Sequence, residues 1–344
     1  MRMKGRFLLY SIVLLIACLS CSSEGNKTMA INYYYWKAQG SIDVSASQYL
    51  KESNSNKLYL RFFDVHYIDD EFQQGPFPVS VSQVSLHQLP EGVEVIPVVY
   101  IENEVFVKSS QTALDALSGH INQEIENLLE RNNPGQKLSE IQIDCDWTEG
   151  SREEYFAFLK QLKNEKELRL STTIRLHQVK YFNTTGIPPA DYGVLMFYNM
   201  GEVSSMQERN SILNLVEAEK YLSGIDAYPL TLVPAYPFFS WGVLFRKKEA
   251  IALLNNIDIS LFESRLFQKD GEGRYHCLER CFIDGKWLYK DDVVRFETVD
   301  PELLEQAVEL VSKYVDPQNE CILYHLNADL MKRASAEDLK DIFQ

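Results

Sequence analysis

The stretch Ile141-Gln142-Ile143-Asp144-Cys145-Asp146-Trp147 has the composition of a short buried strand that ends in two acidic residues. Apolar residues recur at helical spacing on both sides of it, over 112–130 and over 152–163. These patterns predict an amphipathic helix, a strand and a second amphipathic helix in succession. Strands that alternate with helices form parallel sheets, so the stretch predicts an α/β fold.

The same alternation recurs along the whole chain. Short apolar runs lie at 32–36, 57–65, 93–101, 141–147, 168–174, 193–198, 230–236 and 321–326. Further amphipathic helices are predicted over 210–222 and 301–314. Eight such strands in a chain of this length predict a (β/α)8 TIM barrel. A doubly wound open sheet is the alternative, but it usually carries a Gly-rich turn after its first strand, and Ala38-Gln39-Gly40 does not resemble one.

The longest interval between predicted strands separates the seventh strand from the eighth. Within it, Asp270-Gly271 and Asp284-Gly285 are turn signals typical of β-hairpins. We therefore expect a β-hairpin insertion over 267–298, above the mouth of a barrel that spans 30–344.

The N-terminus has the pattern of an export signal. Basic residues at positions 2, 4 and 6 precede an apolar run over 7–17 that is too short for a transmembrane helix. Leu15-Ile16-Ala17-Cys18 resembles the bacterial lipobox, in which cleavage before Cys leaves a thiol for a lipid. We expect a signal peptide over 1–17, lipid on Cys18, a polar tether over 18–29 and a location at a bacterial membrane. An ordinary cleaved signal is the alternative, and Cys21 is a second candidate for the lipid.

The composition is globular and acidic. Apolar residues make up 45% of the chain, and 34 Lys and Arg against 49 Asp and Glu give a formal net charge of -15. Nucleic-acid backbones require a basic protein face, so the charge argues against a nucleic acid as partner.

Four cysteines follow the tether, at positions 145, 277, 281 and 321. Export permits disulfides without requiring them. Cys277 and Cys281 would lie about 13 Å apart in one extended strand, too far to bridge, whereas a turn between them would allow a bridge. The sequence favours inert buried thiols and offers no convincing metal site or cofactor motif.

Polar and aromatic residues follow most of the predicted strands, where the active sites of such barrels lie. The residues predicted to contact substrate are Asp64, Arg175, His177, Asn199, Tyr236, Trp241 and His325. Further rings suited to stacking on a sugar are Trp36, Trp147, Phe238 and Phe239.

Asp144 and Asp146 are the most specific feature. Two residues apart on a strand, they point to the same side, about 6.6 Å apart along it. Two neighbouring carboxylates raise one pKa, which lets one act as an acid while the other remains charged. The alternative is structural: one Asp would cap the next helix and the other would pair with Arg175.

These residues carry a resemblance to family-18 chitinases. Asp144-Cys145-Asp146-Trp147 is similar to their fourth-strand motif Asp-x-Asp-x-Glu, and Met196-Phe197-Tyr198 to their sixth-strand Met-x-Tyr. In that family the Glu protonates the glycosidic oxygen, the second Asp positions the N-acetyl group and the Tyr supports the reaction centre. The resemblance implies catalytic roles for Asp144, Asp146 and Tyr198, but Thr148 stands at the position of the Glu and cannot donate a proton at neutral pH.

The chain also resembles uncharacterised bacterial lipoproteins with glycosidase-like barrels. Two functions follow as expectations. The first is a glycoside hydrolase that uses Asp144 and Asp146 as its acidic pair, without a cofactor. The second is a carbohydrate-binding or scaffold lipoprotein that has lost the catalytic Glu. In both cases the expected partners are a glycan and, through the N-terminal lipid, a membrane.

Overall fold

The computed structural model describes residues 29–343 apart from 167, 256, 272 and 317–319. The expected signal peptide, Cys18 and the tether up to residue 28 lie outside the described residues. Within the described part of the chain, no helix is both long enough and apolar enough to cross a membrane.

Eight parallel strands close into a barrel. Their bounds are β1 Ala30–Tyr35, β3 Lys57–Asp69, β6 Glu94–Ile101, β7 Glu140–Asp144, β8 Arg169–Arg175, β9 Tyr192–Met196, β10 Leu232–Pro237 and β18 Glu320–Tyr324. Each strand pairs with the next, and β1 pairs with both β18 and β3, which closes the ring. The fold is therefore the (β/α)8 TIM barrel that the alternation of strands and helices predicts.

Helices cover the outside of the barrel and connect its strands. They are α1 Val44–Glu52, α2 Asn103–Lys108, α3 Gln111–Asn132, α4 Arg152–Lys166, α5 Leu176–Lys180, α6 Phe182–Thr185, α7 Leu215–Leu222, α8 Pro301–Ser312, α9 Ala328–Arg333 and α10 Ala336–Phe343. The helix predicted over 210–222 begins only after Asn214, whose side chain accepts a hydrogen bond from the backbone N–H of Glu217. Asn210 forms a turn before it, because its side chain accepts from the N–H groups of Ile212 and Leu213.

The predicted β-insertion is present and larger than one hairpin. A five-stranded sheet has the order β12 Glu249–Asn255, β11 Ser240–Arg246, β17 Val293–Thr298, β14 Arg274–Cys277 and β13 Phe267–Lys269. A separate hairpin joins β15 Cys281–Ile283 to β16 Lys286–Leu288. The sheet thus includes the two strands that directly follow β10, ahead of the predicted range 267–298.

Additional strands decorate the region after β1 and β3. The long strand β3 continues beyond the barrel into an antiparallel hairpin with β4 Gln74–Val79. Two short strands, β2 Gln39–Ser41 and β5 Gln83–Ser85, form a parallel pair beside it.

The core has two layers because strand residues alternate between the two faces of the sheet. Inside the barrel, Tyr34, Val194, Met196, Val233 and Ala235 belong to one buried cluster. Residues of the opposite parity pack against the surrounding helices in a second and larger cluster. This alternation decides which side chains of a strand can reach the barrel mouth.

Polar groups also lie inside the barrel and bond to one another. The Tyr34 hydroxyl donates to Gln142 Oε1 at 2.6 Å, and Gln142 Nε2 donates to Ser171 Oγ at 3.3 Å. Ser171 Oγ in turn donates to Glu140 Oε1 at 3.0 Å. The inward positions 140, 142 and 144 of β7 are all polar, so this strand supports a polar column beneath the mouth.

Candidate functional site

A cavity of about 570 Å³ opens at the carboxyl ends of the barrel strands. Ten of the candidate site residues and rings predicted from the sequence line it: Asp64, Asp144, Asp146, Arg175, Tyr198, Asn199, Trp241, His325, Trp36 and Phe239. The inserted sheet contributes to its wall through β11 and β12, so the cavity lies between the barrel mouth and the insertion.

The register of neighbouring strands brings the polar groups to one level. Asp64 of β3 lies opposite Tyr100 of β6, and Tyr100 lies opposite Asp144 of β7. On the other side of Asp144, the Thr173 hydroxyl of β8 donates a hydrogen bond to Asp144 Oδ1 at 2.6 Å. A single row across four strands therefore forms the floor of the cavity.

Asp144 is a buried carboxyl group with only 6% of its surface exposed. Burial raises its pKa to about 6, because the charged form loses its hydration. The hydrogen bond from Thr173 and the charge of Arg175 oppose this shift, whereas Asp146 and Asp64 add to it. Asp144 can therefore hold or release a proton near neutral pH.

Asp146 is placed differently, at the open end of the cavity. Its two carboxylate oxygens accept from Arg175 Nε at 2.6 Å and from a terminal nitrogen of Arg175 at 2.9 Å. Burial alone would lower the pKa of Arg175, but the hydrogen bonds and charge of Asp146 raise it. The pairing with Arg175 that the sequence offered as a structural alternative is thus present, and it lies within the cavity rather than apart from it.

A second carboxylate–guanidinium pair lies across the floor. Arg61 Nε donates to Asp64 Oδ1 at 2.7 Å, and a terminal nitrogen of Arg61 bonds to the other oxygen. His66 Nε2 lies 3.9 Å from the same carboxylate. Bidentate pairs of this kind hold both partners in a fixed plane.

Aromatic rings form the walls. Tyr324 is central: its ring centroid lies 5.9 Å from Trp36, 5.4 Å from Tyr198 and 5.5 Å from Phe239. Phe239 also contacts Trp241 edge-on at 5.5 Å. Four of these rings come from different loops or strand ends, so the wall is assembled only in the folded barrel.

Trp241 belongs to β11 of the insertion and is fixed by a buried carboxylate. Its Nε1 donates to Glu297 Oε2 at 2.8 Å, and the backbone N–H and the hydroxyl of Ser211 donate to the same oxygen. Glu297 is also paired with Arg295. These contacts connect the insertion to the loop after β9 and orient the Trp241 ring at the cavity.

His325 and Asn199 lie at the ends of β18 and β9. Burial, together with the nearby charge of Lys37, lowers the pKa of His325 to about 4, so the ring is neutral at physiological pH. Asn327 Nδ2 lies 3.1 Å from His325 Nε2. Asn199 has a positive φ of 56°, a conformation that Asn tolerates, and this turns the chain away from the barrel.

Two residues predicted to contact substrate lie elsewhere. His177 is exposed on α5, because β8 ends at Arg175 and the chain turns into a helix at once. Tyr236 faces the outer helices and packs against Phe197 and Phe343, since the inward positions of β10 are taken by Val233 and Ala235. Neither side chain lines the cavity, and contact of these two residues with a substrate stays a prediction.

Two of the further candidate rings also point outward. Trp147 stacks on Tyr155 of α4 at 5.4 Å, and its Nε1 donates to the carbonyl of Thr185. Phe238 is buried in the outer core. Alternate residues of this extended stretch face opposite sides, so Asp144 and Asp146 face inward and Trp147 faces the helices.

Thr148 and Glu149 are exposed in the turn before α4 and do not line the cavity. The Thr148 N–H donates to Ser151 Oγ at 3.0 Å, so this residue takes part in starting the helix. The carboxyl groups that line the cavity are those of Asp64, Asp144, Asp146 and Asp329.

Several cavity residues were missed by sequence reasoning. They are Tyr34, Lys37, Arg61, Tyr100, Thr173, Ser240, Asn255, Tyr324 and Asp329. Strand alternation predicts that Thr173 and Tyr324 face the cavity, because each lies two residues from an inward-facing residue of its own strand. Asn255 had no such signal, since it lies on the inserted sheet.

The described residues include no group of three or more His, Cys, Asp or Glu side chains placed to hold a metal ion. The residues that line the cavity offer carboxylates, guanidinium groups, hydroxyls and aromatic rings. Such a surface suits a neutral or polar organic ligand with many hydroxyl groups.

Comparison with known proteins points to the same fold. No family model matches the chain, and no curated protein matches it. Among solved structures, the spore cortex-lytic enzyme SleL of Bacillus cereus is 12% identical, with a TM-score of 0.53 over 92% of this chain and 73% of that one. A chitinase from Chromobacterium violaceum is 13% identical, with a TM-score of 0.51 over 92% of this chain and 98% of that one. The chain thus shares the TIM-barrel fold of these glycosidase-like proteins.

Proposed function

We propose that this protein binds a glycan in the cavity at the barrel mouth. The observation that carries the proposal is the combination, in one cavity, of two bidentate carboxylate–guanidinium pairs with a wall of aromatic rings. The solved structures with a similar fold are named as a cortex-lytic enzyme and a chitinase, which supports a glycan as the ligand class.

The chemistry of the cavity fits a sugar on both of its faces. Sugar hydroxyls can donate to the carboxylate oxygens of Asp64 and Asp146 and accept from Arg61 and Arg175. The apolar C–H face of a pyranose ring packs against flat rings such as Trp36 and Trp241. Because the ion pairs fix the polar groups in advance, little ordering is needed on binding.

Hydrolysis is the second candidate, and the raised pKa of Asp144 favours it. A glycosidase needs one carboxyl group that gives up a proton and a second that acts as base or nucleophile. Asp144, with a pKa of about 6, would be the acid, and Asp146 would be the second carboxylate. Against this, Asp144 lies at the buried floor, and Thr148 occupies the acid position of the chitinase motif.

A panel of oligosaccharides separates these functions. Binding is measured by calorimetry, and products are sought by mass spectrometry after prolonged incubation. Binding without products supports the binding function. Products that disappear in Asp144→Asn, but persist in the exposed control Asp226→Asn, support hydrolysis. Failure to bind any glycan in the panel would contradict both.

We also propose that the protein is exported and held at a bacterial membrane by lipid on Cys18. The basic start, the apolar run over 7–17 and the motif Leu15-Ile16-Ala17-Cys18 support this. The described body begins at residue 29, at the amino end of β1 and so at the opposite end of the barrel from the cavity. A lipid-anchored tether would therefore join the barrel at the end away from the cavity.

A further inference from the structure

Two cysteines of the inserted element lie in direct contact. Cys277 ends β14 and Cys281 begins β15, and their sulfur atoms are 3.8 Å apart. Cys277 is buried, whereas Cys281 is partly exposed. The three intervening residues turn the chain, so the pair is much closer than an extended strand would allow.

Backbone hydrogen bonds fix the chain on both sides of this turn. The Cys277 N–H donates to the carbonyl of Asp292 at 2.8 Å, and the Asp291 N–H donates to the carbonyl of Cys277 at 2.9 Å. Cys281 pairs with Leu288 across the hairpin of β15 and β16. The contact between the sulfur atoms therefore follows from the pairing of the strands and not from two free side chains.

We propose that Cys277 and Cys281 form a disulfide bond in an oxidising environment. Bond formation requires the sulfur atoms to approach from contact distance to about 2.05 Å, which rotation of the two short side chains can supply. The inference is independent of the proposed glycan binding, because it rests on the two thiols alone.

The reaction needs an oxidant, for which a low-molecular-weight disulfide is sufficient. The thiolate of the more exposed Cys281 attacks that disulfide, forms a mixed disulfide and releases one small thiol. Cys277 then attacks the sulfur of Cys281, and the second small thiol leaves. In total the two protein thiols lose two electrons and two protons. The small disulfide takes up these electrons and protons and becomes the two released thiols.

The remaining described cysteines serve as internal controls. Cys145 and Cys321 are buried in the core between the barrel and its helices. Cys145 directly follows β7 and Cys321 lies in β18, and no bond to either is part of the proposal. Both are expected to react with an alkylating agent only after the protein is unfolded.

The bond would tie β15, the first strand of a hairpin that touches the cavity wall, to the end of β14 at the base of that hairpin. At the other end of this hairpin, Asp284 Oδ2 accepts a hydrogen bond from the backbone N–H of Asn255 at 2.7 Å, and Asn255 lines the cavity. A disulfide at the base therefore restricts the motion of an element that supports the wall.

Peptide mapping of the full-length protein tests the proposal. The folded protein is incubated with oxidised glutathione, unfolded in the presence of N-ethylmaleimide and digested with trypsin. Cleavage after Arg274, Arg280 and Lys286 places the two cysteines in peptides 275–280 and 281–286. We expect these to be recovered linked, or as one uncleaved peptide 275–286, lacking two hydrogens and carrying no maleimide.

Variants make the result decisive. Cys145→Ser should leave the linked peptide unchanged, and Cys281→Ser should abolish it and leave Cys277 labelled by maleimide. Hydrogen exchange over 281–288 should be slower in the oxidised wild type than in the reduced protein, with no such difference in Cys281→Ser. Recovery of both cysteines as maleimide adducts, of glutathione on Cys281 alone, or of a link to any other cysteine would overturn the proposal.

Discussion

Asp144 is a residue whose environment opposes its own ionisation. Its pKa of about 6 in the folded protein lies above the ordinary value of 3.8, so the folded state binds this proton more tightly than the unfolded state. The stability contributed by protonated Asp144 is present below pH 4 and is lost as the pH rises from about 4 to about 6. The loss amounts to about 3 kcal/mol if no other group compensates.

Replacing Asp144 by Asn should remove this pH-dependent loss. The Asn side-chain oxygen can still accept the hydrogen bond from Thr173, and an amide has no charge to bury. We expect Asp144→Asn to raise the free energy of unfolding by about 2 kcal/mol at pH 7.5 and to change it little at pH 4. Urea unfolding at both values measures this, and the exposed control Asp226→Asn should show no such difference. A destabilised Asp144→Asn at pH 7.5 would show that the carboxylate is needed in its charged form.

At the residue scale, strand alternation accounts for what the sequence could predict. It correctly directs Asp144 and Asp146 to the cavity and Cys145 to the outer core, because the alternation of β7 continues for two residues beyond the end of the strand at Asp144. Closeness to a strand end does not show which way a side chain faces, and the ring of Tyr236 packs against Phe343 on the outer side of the barrel. His177 lies on a helix and not on the strand, because β8 ends at Arg175 and α5 follows directly, which the sequence does not reveal.

At the element scale, the insertion is divided into parts that differ in their importance for the fold. Strand β17 pairs with β11 and carries Glu297, which fixes Trp241. The chain enters and leaves the hairpin of β15 and β16 at neighbouring positions, because the Cys277 N–H donates to the carbonyl of Asp292 and the Cys277 carbonyl accepts from the N–H of Asp291. The sequence predicted the turns at 270–271 and 284–285 but not the sheet partners, since pairing across the insertion leaves no local signal.

Removing only the hairpin should therefore be tolerated. Replacing residues 278–291 by Asn-Gly joins Cys277 to Asp292 through a two-residue turn. We expect cooperative unfolding to remain, with a loss of about 3 to 5 kcal/mol from the buried side chains of Ile283 and Leu288. Scanning calorimetry provides the measurement.

Deleting the whole range 267–298 is the matched comparison. It removes β17 and the Glu297 contact, and leaves β11 without one of its two neighbours. We expect the cooperative transition to be lost in that variant. If both deletions melt cooperatively, β17 does not support the barrel mouth; if neither does, the hairpin is not a separable element.

At the scale of the whole molecule, the acidic body and the basic N-terminus suggest different surroundings. The barrel strands and the residues that line the cavity all lie within the described range 29–343. Labelled palmitate should enter the wild-type protein expressed in bacteria and be absent from Cys18→Ser, whereas Cys21→Ser should label normally. Labelling that survives both substitutions together would contradict a lipid anchor, and loss in Cys21→Ser alone would move the anchor to that residue.

The central claim, that the mouth cavity binds a glycan, is tested most directly by two tryptophan substitutions. Trp36 is half-buried and lines the cavity, whereas Trp287 is 48% exposed on the hairpin outside it. Affinity for a glycan identified by screening is measured by titration calorimetry for Trp36→Ala and Trp287→Ala. We predict that Trp36→Ala weakens binding about tenfold or more, through loss of ring stacking, and that Trp287→Ala leaves it unchanged. Equal affinity of Trp36→Ala and the wild type, or loss of binding in Trp287→Ala alone, would contradict the account.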